Sequence, residues 1–109
     1  MFSKLHRFHG HTSVNAMYKR GVAVRDNALS LRVAPRERPG YRVAIVVSKK
    51  VSKSAVVRNR IRRRLYEQLR QHDLQGYDVV ASVFADQVAT MDAAELADLV
   101  TKLVVKAIT

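Results

Sequence analysis

Eight of the sixteen residues from Lys49 to Arg64 are Lys or Arg, and none is acidic. They are Lys49, Lys50, Lys53, Arg58, Arg60, Arg62, Arg63 and Arg64. The chemistry open to such a run is the binding of polyanions. Guanidinium forks make bidentate contacts to phosphate, and neutralising closely spaced phosphates releases condensed counterions. A solvated helix face normally mixes both signs of charge. A face of one sign points instead to a nucleic-acid partner.

Val57, Ile61 and Leu65 recur through the run at four-residue intervals. The segment from about Ala55 to His72 is therefore expected to be a helix with one buried stripe. On that helix Arg58 and Arg62, Asn59 and Arg63, and Arg60 and Arg64 are i, i+4 neighbours, ~5–6 Å apart. This is close to the phosphate spacing of a nucleic-acid strand. Asn59 both donates and accepts. Two roles stay open for it: contact with a base edge or ribose hydroxyl, or a helix-surface or capping position.

Charge is divided unevenly along the 109 residues. Residues 1–70 hold 18 Lys/Arg and 3 Asp/Glu, whereas residues 71–109 hold 2 and 6, so +15 and −4 make the net +11. One surface is thus cationic, and the C-terminal helix is acidic and solvated. Other chemistry is poorly supported. There is no cysteine, which excludes disulfides and thiolate zinc sites. His6, His9 and His11 have no such companions for a metal. Ser48–Ser54 contains no glycine for a phosphate loop, and no Ser/Cys–His–Asp arrangement declares itself. No protein catalytic residue is expected. No apolar run approaches the ~20 residues of a membrane span, and Lys4, His6 and Arg7 interrupt any signal-like core. A soluble cytoplasmic protein with no membrane role is expected.

The elements that would position the basic helix can be read in order. Residues 1–12 are polar, basic and expected to be flexible. Ser13 can cap a helix over Val14–Arg20, closed by Gly21. A strand is possible near Arg20–Val24. Ala28–Ala34 alternates, with Leu29, Leu31 and Val33 on one face and Ala28, Ser30, Arg32 and Ala34 on the other. Pro35 is expected to stop it. Arg36–Gly40 reads as a polar turn. Arg42–Val47 is apolar on both faces after Arg42, which suggests a strand inside the sheet. Val79–Phe84 is a further strand after Gly76. Asp78, Asp86 and Asp92 read as capping and turn residues. Asp92 and Glu95 resemble a capping box ahead of a final helix with the stripe Leu96, Leu99, Val100, Leu103, Val104 and Ala107. The order α-β-β-(β)-α-β-α predicts a single α+β domain, a mixed sheet with helices packed on it.

The stretch Val47-Ser48-Lys49-Lys50-Val51, followed by Ala55-Val56-Val57-Arg58-Asn59-Arg60-Ile61-Arg62-Arg63-Arg64-Leu65, resembles the signature of the protein subunit of bacterial ribonuclease P. Leu5-His6-Arg7-Phe8, Val14–Gly21, the strand from Ala28 and the tail from Tyr77 fall where that family has its first helix, sheet and last helix. The resemblance implies an accessory subunit of a ribonucleoprotein endoribonuclease. The partners would be a catalytic RNA, expected at one protein per RNA, and precursor tRNA, whose 5′ leader is removed. Hydrolysis would belong to the RNA with Mg²⁺ held by RNA and substrate. Lys49, Lys50, Arg58, Asn59, Arg60, Arg62 and Arg63 would contact the catalytic RNA or lie near the cleavage site, with Lys53 and Arg64 on the same basic surface. Val14, Tyr18 and Arg32 would line a leader cleft, where Tyr18 could stack on an unpaired base. The fold implied is like that of a ribosomal protein domain, with a left-handed βαβ crossover where the general rule is right-handed. This chain departs from the family pattern at Val14, at Tyr66, in the loop Ser52–Ser54 and at Val83–Ala85. Two other classes share its charge and fold class: a ribosomal or assembly protein, and a duplex-DNA regulator, although the latter would want a helix-turn-helix pair.

Overall fold

The computed structural model describes residues 22–36 and 39–108. The expected flexible segment 1–12, the helix Val14–Arg20 and the cleft residues Val14 and Tyr18 lie outside the described residues.

Four strands form one mixed sheet: β1 (Val22–Arg25), β2 (Leu29–Pro35), β3 (Arg42–Val47) and β4 (Tyr77–Val83). Their spatial order is β1-β2-β4-β3. β1 pairs antiparallel with β2, β2 antiparallel with β4, and β3 parallel with β4. The β3–β4 connection runs through the helix α1 (Ala55–Leu69), a βαβ unit. A single 3-10 turn, Asp86–Ala89, leads into the last helix, α2 (Ala93–Ile108).

Alternation explains the layering. Leu29, Leu31 and Val33 of β2, Val43, Ile45 and Val47 of β3, and Val79, Ala81 and Val83 of β4 join one core. Both helices contribute to it: Ile61, Leu65, Tyr66 and Leu69 from α1, and Leu96, Val100, Leu103 and Val104 from α2. Each fully buried leucine among them is worth about 2 kcal/mol of transfer free energy. Tyr66 is buried in this core. The predicted stripe of the final helix is thus its packed face, with Leu99 and Ala107 half-buried against it. Asp92 accepts the Ala94 N–H at 3.2 Å, a simple N-terminal cap and not the reciprocal pair with Glu95 that a capping box has.

Three expectations need correction. β3 is an edge strand, not an interior one; β4 lies between β2 and β3. The apolar second face of β3 misled the reading, because Ala44 packs on a small patch of Ala34 and Val80 while Val46 stays exposed. The basic helix ends at Leu69 rather than His72, with Arg70 closing the turn on the Tyr66 and Gln68 carbonyls. Asp78 is not a turn residue. It is the one buried charged side chain of the described residues, 1% exposed. Arg42 grips it with Nε at 3.0 Å and Nη2 at 2.8 Å, and Arg36 adds a longer contact at 3.4 Å. The hydrogen bonds that Arg42 donates to Asp78 hold the Arg42 pKa above its ordinary value, against the lowering effect of burial. Gly40 and Gly76, at φ +93° and +87°, close the turns beside this cluster, and the Gly76 N–H donates to the Gly40 carbonyl at 2.8 Å.

Candidate nucleic-acid interface

The loop after β3 carries Lys49, Lys50 and Lys53, all exposed. Ser54 then caps α1: it is extended, and its hydroxyl accepts the Val57 N–H at 3.3 Å. The first turn has no acidic residue. The positive end of the helix dipole therefore adds to the cationic field of the lysines instead of being offset.

The guanidinium groups on α1 divide into two sets. Arg58 donates to the Ser52 carbonyl at 2.9 Å, which pins the lysine loop to the helix. Arg62 donates to Asn59 Oδ1 at 2.9 Å, with a looser contact to the Val47 carbonyl at 3.5 Å. Arg64 donates to the Val88 carbonyl at 2.6 Å and to the Met91 carbonyl. These three are half-buried. Arg60 and Arg63 are exposed and make no hydrogen bond or ion pair with other described residues. Asn59 is exposed and orients Arg62. The arc read from sequence as uniform is an alternation of anchored and outward-facing cations.

Arg32 lies on the opposite face of the sheet. It lines a concavity of about 350 Å³ with Ala23, Arg25, Ser30, Ser82 and Phe84. Ser30 and Ser82 are cross-strand partners. The Arg25 guanidinium sits 4.8 Å from the centroid of the Phe84 ring, a cation–π pair. Phe84 is 47% exposed, so its ring keeps surface for a further planar group. Arg25 and Phe84 were not singled out as site residues from sequence. The available signal was a large aromatic at the end of the expected strand Val79–Phe84.

The arrangement separates two cationic regions, one on the loop–helix junction and one on the sheet face behind it. Lys49–Arg64 contains no acidic residue, and the residues described as lining the sheet-face concavity include no carboxylate. Among the described residues, no helix is long and apolar enough to cross a membrane.

Comparison with known proteins identifies the family and the fold. A family model described as Ribonuclease P matches residues 2–108. The ribonuclease P protein component of Parasynechococcus marenigrum is 38% identical in a match that covers 71% of this chain and 73% of that one. That of Cyanothece sp. is 35% identical in a match that covers 76% of this chain and 78% of that one. The match to the Prochlorococcus marinus component, 38% identical, spans 58% of this chain and 59% of the relative. The RNase P protein of Staphylococcus aureus superposes with a TM-score of 0.81 at 21% identity, over 94% of each chain. That of Thermotoga maritima gives 0.77 at 18% identity, over 89% of this chain and 93% of the other. The fold is shared with both structures, and by sequence the chain belongs to the ribonuclease P protein family.

Proposed function

We propose that the chain is the protein component of a ribonuclease P ribonucleoprotein and assists its catalytic RNA in removing 5′ leaders from precursor tRNA. The observation that carries this is the α1 surface: outward-facing Arg60 and Arg63 beside an exposed lysine loop, with no acidic residue from Lys49 to Arg64. Lys49, Lys50, Lys53, Arg60 and Arg63 meet phosphates of the catalytic RNA. Asn59, Arg58 and Arg62 hold that surface in shape and extend its contacts. The concavity with Arg25, Arg32 and Phe84 holds the single-stranded leader, phosphates on the arginines and a base against the exposed ring. The chain works in the cytoplasm, one copy per RNA.

The protein's part in the reaction is electrostatic and positional. Leader and catalytic RNA repel each other, and a cationic body touching both lowers that repulsion and raises their effective concentration. The basic surface does not fit Mg²⁺, because guanidinium and ammonium groups cannot ligate a hard cation that takes oxygen donors. The metal is therefore held by RNA and substrate, and it supplies the hydrolytic chemistry there.

Cleavage of precursor tRNA by the cognate RNA at limiting Mg²⁺, with and without the protein, tests this. A lower Mg²⁺ requirement with the protein present is expected. An identical Mg²⁺ dependence in both conditions would end the proposal.

A further inference from the structure

The structure assigns a second nucleotide site, on the helical side of the molecule: the groove between α1 and the first turn of α2 receives one unstacked nucleotide of the partner RNA. This rests on the RNA-binding reading above and adds a discrete pocket to it. The groove encloses about 290 Å³. One wall is an α1 stripe at i, i+3, i+4 and i+8, comprising Arg60, Arg63, Arg64 and Gln68. The other is Ala93 and Leu96, neighbours on α2.

The lining has the three parts that a nucleotide needs. Arg60 and Arg63 are exposed at the rim, unengaged by other described residues, and suited to a phosphate or to stacking on a base plane. Ala93 gives a small apolar surface for the base, backed by the buried Leu96. Gln68 carries a half-buried amide, a donor and an acceptor together. Glu67 also lines the groove and is paired with Arg70 at 3.1 Å; Arg60, Arg63 and Arg64 outnumber it, so the lining is net cationic. The walls are held together by Arg64, whose guanidinium bridges to the Val88 and Met91 carbonyls just before α2. The volume lies at the lower end of the roughly 300–1,000 Å³ of small-molecule sites. It suits one nucleotide, not a stacked strand. Bases within an A-form duplex are closed to such a pocket, whereas an extruded base in a loop or bulge is open to it.

Ala93→Leu fills the groove without removing a charge, and Ala93 is exposed at the start of its helix. Binding of the cognate ribonuclease P RNA would be titrated at several KCl concentrations, with chemical probing of base reactivity in the complex. Ala93→Leu is expected to weaken binding about ten-fold with the salt slope unchanged, and to restore reactivity at one nucleotide that the wild-type protein protects. Gln68→Ala is expected to expose the same nucleotide. Wild-type affinity and an unchanged reactivity pattern in both variants would overturn the assignment. If Arg60→Ala still lowered the salt slope in that case, the helix would bind RNA with the groove empty. If it did not, the RNA-binding reading would fall as well.

Discussion

The Arg64 guanidinium donates to the Val88 carbonyl across 2.6 Å, and its other terminal nitrogen reaches the Met91 carbonyl. The last arginine of the basic run is thus a tertiary clamp. It ties α1 to the segment that leads into α2 by donating to two backbone carbonyls there.

Removing that clamp separates folding from binding. Hydrogen bonds to a charged group contribute roughly 1.5–3 kcal/mol each when well made. Arg64→Ala is expected to lower unfolding free energy by about 2 kcal/mol in a urea titration, with little change in the salt dependence of RNA binding. Arg64→Lys should restore only part of the stability, since an ammonium lacks the planar fork that spans both carbonyls.

Arg60 and Arg63 should behave in the opposite way. Each alanine variant is expected to reduce the slope of log affinity against log salt by about one, with the urea midpoint unmoved. Equilibrium binding of the catalytic RNA at four or more KCl concentrations measures this. A slope unaltered in both variants would place the RNA elsewhere on the protein.

Asp78 carries a different expectation. It is buried between Arg42 and Arg36 where β4 begins, so Asp78→Ala removes the carboxylate that both guanidinium groups contact. Loss of one member of a buried pair costs about 3–5 kcal/mol, and the partial exposure of both arginines places this case near the lower figure. The raised pKa of Arg42 fixes the sign of any alkaline effect. The contribution is fully present below the ordinary arginine pKa and is lost only as pH rises through the higher folded value. Stability from this pair should therefore be flat across neutral and moderately alkaline pH, as thermal melts at pH 7 and pH 9 would show.

The sheet-face concavity gives a test for leader binding. Phe84→Ala removes the exposed ring and leaves Arg25 and Arg32 in place. Stacking of a base on an aromatic is worth about 1–3 kcal/mol. Affinity for precursor tRNA carrying a single-stranded leader should fall five-fold or more, while affinity for leaderless tRNA stays the same. Equal losses for both substrates would remove the ring from the leader path.

The basic helix, the final helix with its Leu96–Val104 stripe, and the alternating strand around Leu31 were legible from residue order alone. The reason is that each is written in local periodicity: 3.6 for the helices and 2 for the strand. The cationic character of one surface was legible for the same reason, since neighbours on a helix are near in sequence. The strand order was not. Arg42–Val47 carries apolar residues on both faces, yet it sits at the edge of the sheet, because hydrophobicity reports burial and not which strands lie alongside.

Tertiary structure alone decided which cations face outward. Arg60 and Arg64 differ in sequence only by one helical turn, but Arg64 meets the Val88 carbonyl 24 positions away and Arg60 meets nothing described. Asp78 likewise found Arg42 across 36 positions, turning an apparent turn residue into a buried anchor. Periodicity determines which face a side chain occupies. What that face touches depends on segments distant along the chain, and only folding brings them together.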